Sequence, residues 1–261
     1  MSPVDASLRD VVDALDAELR TRDVPDYGGA VNGLQLANAG VVRRVATAVD
    51  FSRAAAEGAA AAGADLLVVH HGMFWGGAQP IVGPAYERLR TLLARDVAVY
   101  ASHLPLDMHP TLGNNALLAR ELGLVPDGGF ARYKTIDVGV SGEADMETAE
   151  IAARASAFAA RWGGALRHTP IAPGRRTRRW GICTGAGASS DTLREAGERG
   201  LDTLVVGEGP HHTAVDAAER DVTVIYAGHY ATETLGVRAV GAWLESRFGL
   251  PWTFVGEPTG L

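Results

Sequence analysis

Histidines and carboxylates recur at five places where an apolar run of the chain stops. They are His70-His71 in VVHHGMFWGG, His103 with Asp107 in HLPLD, Glu208 in VVGEG, His211-His212 directly after it, and His229 with Glu233 in GHYATE. Imidazole nitrogens and carboxylate oxygens are the usual ligands of Zn, Mn, Fe, Co and Ni ions. A carboxylate can bridge two such ions, and a pair about 3.5 to 4 Å apart is the common arrangement for hydrolysis. The adjacent histidines suit two ions better than one. Consecutive strand residues point to opposite faces, but at a frayed strand end they can splay toward two ions, whereas one ion is more easily served by His-x-His or His-x-x-x-His. His229 and Glu233, four apart at the start of the last expected helix, share one helical face. HLPLD reads as a non-helical loop because of Pro105, yet it can curl His103 and Asp107 toward one point. Each residue alone has a plainer role: a solvated loop histidine, Asp107 capping a helix that begins near Thr111, Glu233 favouring a helix N-terminus.

The elements that must carry these groups alternate in type. VRRVATAVD, SRAAAEGAAAAG, DLLVV, PAYERLRTLLARD, VAVYAS and GNNALLARELG read as strand, helix, strand, helix, strand, helix. A Gly/Pro-rich break at VPDGGF precedes a second set of strands (KTIDVGVSG, ALRHT, RRWGICTG, DTLVV, VTVIYAG) and helices (METAEIAARASAFAARWGG, DTLREAGERG, AVDAAERD, TETLGVRAVGAWLESRFG). Such alternation predicts βαβ units around mostly parallel or mixed sheets. Ligands of open α/β sheets bind beyond the carboxyl ends of strands, where all five polar sets lie.

The two sets resemble each other. Asp65-Leu-Leu-Val-Val-His-His-Gly matches Asp202-Thr-Leu-Val-Val-Gly-Glu-Gly, and Tyr-Ala-Ser-His103 matches Tyr-Ala-Gly-His229, each final histidine followed by an acid at plus four. The expectation is two similar α/β lobes, residues 1–127 and 128–261, with the metal site in the crevice between them and the C-terminal segment closing it.

Composition narrows the classes of function. One cysteine, Cys183, excludes an intramolecular disulfide and any thiolate-rich metal site, so the ligands must be nitrogen and oxygen. A net charge of -7, from 24 Lys+Arg and 31 Asp+Glu, is the wrong sign for a surface that tracks nucleic acid. The opening MSPVDASLRDVVDALDAEL reads as an amphipathic helix without the basic start and apolar core of a secretory leader. No run approaches the ~18 apolar residues of a membrane span. A soluble cytoplasmic protein that does not bind membranes is expected.

Together, VHHGMFW, HLPLDMHPTLGNNALLARELG, VVGEGPHH and AGHYATETLGVRAV, with the early DYGGAVNGLQL, resemble in order and spacing the GTP cyclohydrolase I type 2 homologue family, the Nif-three-like dinuclear-metal proteins. The resemblance runs from about residue 8 to the end. It implies an α/β architecture with two divalent metal ions (Zn, Mn, Fe, Co or Ni), held by His70, His71, Asp107, His229 and Glu233, with Glu233 as the bridge. It implies that His103 lies beside them as ligand, orienting group or acid/base, and that the chain assembles as a homohexamer. Glu208 and His212 match less tightly.

Three features stand outside that set. Gly185-Ala-Gly187-Ala-Ser189-Ser190 is a tight turn into a helix that could also cradle an anion, although the third glycine of a dinucleotide fingerprint is absent. The loop Gly174-Arg-Arg-Thr-Arg-Arg179 is a solvated loop or a contact for phosphate or a neighbouring subunit. Phe74, Trp75 and Tyr230 are local core or a stacking wall for a planar base, and Asn32 and Gln35 are candidate polar wall groups. The expected function is a dinuclear metal-dependent hydrolase of a small nucleotide-like substrate, with GTP-cyclohydrolase-type purine ring opening implied by the resemblance. The alternatives are a non-catalytic metal-binding or regulatory ring scaffold and, against the charge, a DNA-binding ring.

Overall fold

Ser7 opens the first helix, its hydroxyl accepting from the Asp10 N–H at 3.4 Å. The computed structural model describes residues 5–261, so the first four residues of the expected amphipathic segment lie outside the described residues. In chain order the elements are β1 (Ala6–Ser7), α1 (Leu8–Leu19), β2 (Gly33–Leu36), β3 (Val41–Val42), β4 (Val45–Asp50), α2 (Arg53–Ala61), β5 (Leu66–His71), α3 (Pro84–Ala94), β6 (Ala98–Ala101) and the short α4 (Leu104–Asp107). They continue as α5 (Asn114–Glu121), β7 (Gly128–Tyr133), β8 (Ile136–Glu147), α6 (Thr148–Arg161), β9 (Arg167–His168), β10 (Arg176–Cys183), α7 (Ser190–Arg199), β11 (Thr203–Val206), α8 (His211–Glu219), β12 (Thr223–Tyr226), α9 (His229–Phe248) and β13 (Trp252–Phe254). The alternation expected from the sequence is present. HLPLD, expected to be non-helical, instead makes the turn α4, because Pro105 sits in the first helical turn, where a missing N–H breaks no helix bond.

The chain forms two compact units. One comprises the residues up to Leu106 with Gly236–Glu257, the other Asp107–Leu235 with Pro258–Leu261. The boundary expected at residue 127 therefore falls at 106/107, and most of α9 with β13 returns to the first unit. Burial explains both shifts. Leu118, Ala119 and Leu122, from α5 and its end, pack with Leu124 in one buried cluster that includes Ile151, Phe158 and Trp180. At the other end, β13 extends the first sheet, pairing Trp252 with Val45 and Phe254 with Thr47. At about 1.5 to 3 kcal/mol per fully buried large apolar side chain, such contacts decide where a segment belongs.

The first unit holds a five-stranded sheet in the order β13-β4-β5-β6-β2, with β4, β5 and β6 parallel and β2 antiparallel at the edge. β4 and β5 are buried at every position except the last, as expected of parallel strands covered on both faces. The alanines of α2 (Ala55, Ala56, Ala59) pack in one cluster with Leu67, Val69 and Val99. The second unit holds a six-stranded sheet, β7-β8-β10-β11-β12-β9, in which β10, β11 and β12 are parallel and β9 is an antiparallel edge. Its β7–β8 hairpin, only partly visible in KTIDVGVSG, adds an antiparallel pair on the other side.

The two sheets share a plan. Each has three parallel strands side by side in chain order, flanked by an antiparallel strand that precedes them in sequence. His70 and His71 end the second parallel strand of one, and Glu208 follows the second of the other. His103 and His229 follow the third strand in each. The repeat seen in the sequence thus occupies equivalent topological positions. No helix among the described residues is long and apolar enough to cross a membrane.

Candidate functional site

In the first unit, β5 ends with its histidines still in the sheet: His71 pairs in register with Asp50, the last residue of β4. The strand end is therefore not frayed, contrary to the expectation from the doublet. The pairing sets the Asp50 carboxylate against His71, with Oδ1 2.8 Å from Nδ1. His70 is fully buried, and its Nδ1 lies 2.9 Å from the Ser102 carbonyl. A carbonyl only accepts, so this nitrogen carries a proton, and in the neutral ring Nε2 keeps its lone pair. His103, just beyond the end of β6, places its Nδ1 2.9 Å from Asp26 Oδ1. The three rings are 4.7, 4.9 and 5.6 Å apart between centroids, and one nitrogen of each lies within 4.8 Å of the others.

The loops around this trio are locked by amides. Asn32 accepts from the His103 N–H through Oδ1 (2.8 Å) and donates through Nδ2 to Asp26 (2.8 Å). Gln35 accepts from the Met73 N–H (2.7 Å) and donates to the carbonyl of Val31 (2.8 Å). The space beside Gly72 is filled by that Gln35 amide, so a Cβ has no room there. Trp75 stands edge-on to His103 at 4.7 Å and 83°, with Tyr27 6.5 Å from Trp75, and both aromatics are partly exposed. Tyr230, by contrast, is buried and belongs to the local core.

In the second unit, His229 and Glu233 are one turn apart in α9, with Nε2 3.1 Å from Oε2. The other ring nitrogen, Nδ1, lies 2.7 Å from Glu208. Burial disfavours the imidazolium, but hydrogen bonds and charge from Glu233 and Glu208 outweigh it and raise the pKa of His229 to about 9. Asp107 is buried, accepting from Asn114 Nδ2 at 2.8 Å, while its carbonyl accepts from Asn115. Asn115 in turn accepts from the Thr184 N–H (2.8 Å), tying α5 to the end of β10. Asp107 therefore caps no helix; α5 begins at Asn114 behind Gly113. Burial, and next the negative charge of Asp107 and Glu233, pushes the Cys183 thiol up. A cation is the natural complement to such carboxylates.

The segment from Gly185 to Ser190 has a structural role. Gly185 packs against the Glu233 carboxylate, its carbonyl accepts from the Glu208 N–H (2.8 Å), and its N–H donates to Thr232. Ser189 caps α7 through a reciprocal pair with Thr192. The run expected to be an arginine loop lies in β10 from Arg176 onward, and its charges are committed: Arg175 pairs with Asp221 at 2.7 Å, and Arg176 and Arg178 with Asp145 at 2.6 and 3.1 Å. His211 and His212 open α8 on an exposed surface.

The donors of each unit fit a borderline divalent cation. They are imidazoles and carboxylates, and His70, His71 and His103 in the first unit, like His229 in the second, engage Nδ1 with an oxygen of the protein. That arrangement orients imidazole ligands in metal sites, leaving Nε2 as the ligating atom. Sequence reasoning misses three of these partners, Asp26, Asp50 and the Ser102 carbonyl, and underweights the fourth, Glu208. Only for Asp26 is there a signal, since it immediately precedes Tyr27 of the DYGGAVNGLQL motif and opens it.

A Deinococcus radiodurans protein named GTP cyclohydrolase 1 type 2 homolog is 42% identical, over 93% of this chain and 90% of its own. A Halobacterium salinarum protein of the same name is 41% identical over 97% and 98%. Among solved structures, the ybgI protein, titled as of unknown function, superposes with a TM-score of 0.86 at 33% identity, covering 98% of this chain and all of its own. A Thermus thermophilus protein does so with a TM-score of 0.81 at 36% identity, over 98% and 100%. The family model described as Duf34/NIF3 (NGG1p interacting factor 3) matches residues 6–258, and the chain belongs to that family.

Proposed function

We propose that the protein is a dinuclear metal-dependent hydrolase of a small nucleotide-like substrate, with two divalent ions held by His70, His71, Asp107, His229 and Glu233. The observation that carries this reading is the orientation of the imidazoles: four Nδ1 atoms face protein oxygens, an arrangement that orients imidazole ligands in metal sites. The second-unit carboxylates Asp107 and Glu233, both buried, supply the compensating charge. Bound ions of this kind lower the pKa of water toward neutrality and polarise the group attacked.

The chain's own residues do the remainder. His103 presents Nε2 for taking up and returning a proton, its other nitrogen being fixed on Asp26. Tyr27 and Trp75, exposed beside the first-unit imidazoles, suit stacking against a planar ring, and the neighbouring Phe74 is also exposed. Purine ring opening is the finer form of the proposal, supported by the name that the relatives carry. Self-association as a homohexamer is proposed with it, supported by the apolar residues Ile81, Val82, Tyr86 and Leu93 left exposed along one segment of the first unit.

The test is metal analysis of the purified protein, followed by turnover of a nucleotide and phosphoester panel with each candidate metal. Bound metal that is lost in a His70→Ala, Glu233→Ala double variant, with metal-dependent turnover, is the expected result. Absence of metal from the wild type would overturn it, and full occupancy without turnover of any substrate would assign the ions to a non-catalytic scaffold.

A further inference from the structure

The Asp26 carboxylate faces a donor in four directions. Oδ1 accepts from the Tyr27 N–H at 2.6 Å and from His103 Nδ1 at 2.9 Å, while Oδ2 accepts from the Leu104 N–H at 2.9 Å and Asn32 Nδ2 at 2.8 Å. Its side chain is only 7% exposed. Two of the donors are backbone groups and cannot reverse. Asn32 cannot turn over either, because its Oδ1 accepts from the His103 N–H. The imidazole is the one partner free to choose between donating and accepting. Against an ionised carboxylate it must donate. Burial works against that ionised form, but the contacts with His103, Asn32 and Tyr27 prevail and hold the Asp26 pKa below its usual value.

We infer that Asp26 is a positioning residue: braced by Asn32, it fixes His103 as the Nδ1–H tautomer and so presents a bare Nε2. What that nitrogen meets, a metal ion or a transferable proton, rests on the hydrolase reading above. The tautomer assignment does not. The pairing is long-range, since Asp26 and His103 lie 77 positions apart.

The geometry gives an unusual expectation for Asp26→Asn. An amide offers one acceptor face and one donor face. With its NH2 in the place of Oδ2, it would oppose two fixed donors, Leu104 N–H and Asn32 Nδ2. With its NH2 in the place of Oδ1, it opposes only Tyr27 N–H, provided that His103 moves its proton from Nδ1 to Nε2. The second arrangement leaves one conflict instead of two, so the substitution inverts the tautomer and blocks Nε2 with a hydrogen. A change of this kind at an imidazole-orienting carboxylate impairs function without disturbing the fold.

The experiment uses the full-length, chelator-treated protein with 15N-labelled histidine, at a pH where the His103 ring is neutral. The His103 resonances are assigned by their loss in His103→Gln. Long-range 1H–15N correlations are expected to show a protonated Nδ1 and bare Nε2 in the wild type, and the reverse in Asp26→Asn. Asn32→Ala, which keeps the carboxylate, retains the wild-type pattern. If Nε2 ligates an ion, affinity for Zn2+ or Mn2+ alone, measured by calorimetry, falls about 10- to 100-fold in Asp26→Asn with an unchanged circular dichroism spectrum; an unchanged affinity assigns Nε2 to proton transfer. A wild type with the proton on Nε2, or an Asp26→Asn protein that keeps the wild-type tautomer, overturns the inference. Should Asp26→Asn not fold, the wild-type and Asn32→Ala spectra still decide it. A protein that shows the inversion but binds no metal keeps the Asp26 assignment and loses the hydrolase reading.

Discussion

Gly185 and Glu233 share one small space: the glycine, at φ +61°, lies so close to the carboxylate that a Cβ on residue 185 would overlap Oε1. Backbone conformation and site geometry thus exclude a side chain at this turn for two separate reasons. Gly185→Ala is expected to lose about 1 to 2 kcal/mol from the left-handed conformation, a fall in Tm on the order of 5 °C, and to lose metal as Glu233 is displaced. Gly63→Ala serves as the comparison. That glycine also has positive φ (+64°) but nothing within 4 Å of its Cβ, so stability should fall while metal content stays. Equal metal content in both variants would show that Glu233 is not a ligand.

Glu208 and Glu233 together raise the pKa of His229 from 6.5 to about 9 in the metal-free protein. The folded value lies above the unfolded one, so the stability contributed is full below about pH 6.5 and is lost as pH rises through about 9. Chemical denaturation of chelator-treated protein across that window should show the loss, and Glu208→Gln should flatten it. In the same variant, metal affinity should fall about 10-fold or more, because a neutral amide orients the imidazole less firmly. An unaltered pH profile in Glu208→Gln would refute the pairing.

The arginines at the start of β10 are engaged in surface ion pairs. Arg176 and Arg178 converge on the exposed Asp145, and such surface pairs contribute on the order of 0 to 1 kcal/mol. An Arg176→Ala, Arg178→Ala double variant should keep its metal content and its affinity for inorganic phosphate, with a small change in Tm. A marked loss of phosphate affinity would restore the loop as an anion contact.

Trp180, fully buried in β10, packs within the same cluster as Leu118 and Phe158. Trp180→Ala should therefore cost about 3 to 5 kcal/mol. Because α5 packs into that cluster, hydrogen exchange should speed up in residues 114–121 together with β10. Exchange confined to β10 would argue against assigning α5 to the second unit.

The amino-acid sequence by itself determined the strand–helix alternation, the repeat between the two sheets, and the polar groups at strand ends. Strands buried on both faces read as continuous apolar runs such as DLLVV and DTLVV, and the point where each run stops is visible locally. The i, i+4 relation of His229 and Glu233 was legible for the same reason, since helical geometry fixes it without reference to the rest of the chain. Only the tertiary structure decided which oxygen each imidazole faces. Asp50 reaches His71 through strand register, Ser102 presents a carbonyl to His70, and Asp26 meets His103 across a loop. These pairings follow from how strands and loops pack, and no periodicity encodes them. The same holds for the unit boundary: in the sequence GNNALLARELG reads only as a helix, and the burial of Leu118 and Leu122 beside Trp180 assigns it to the second unit.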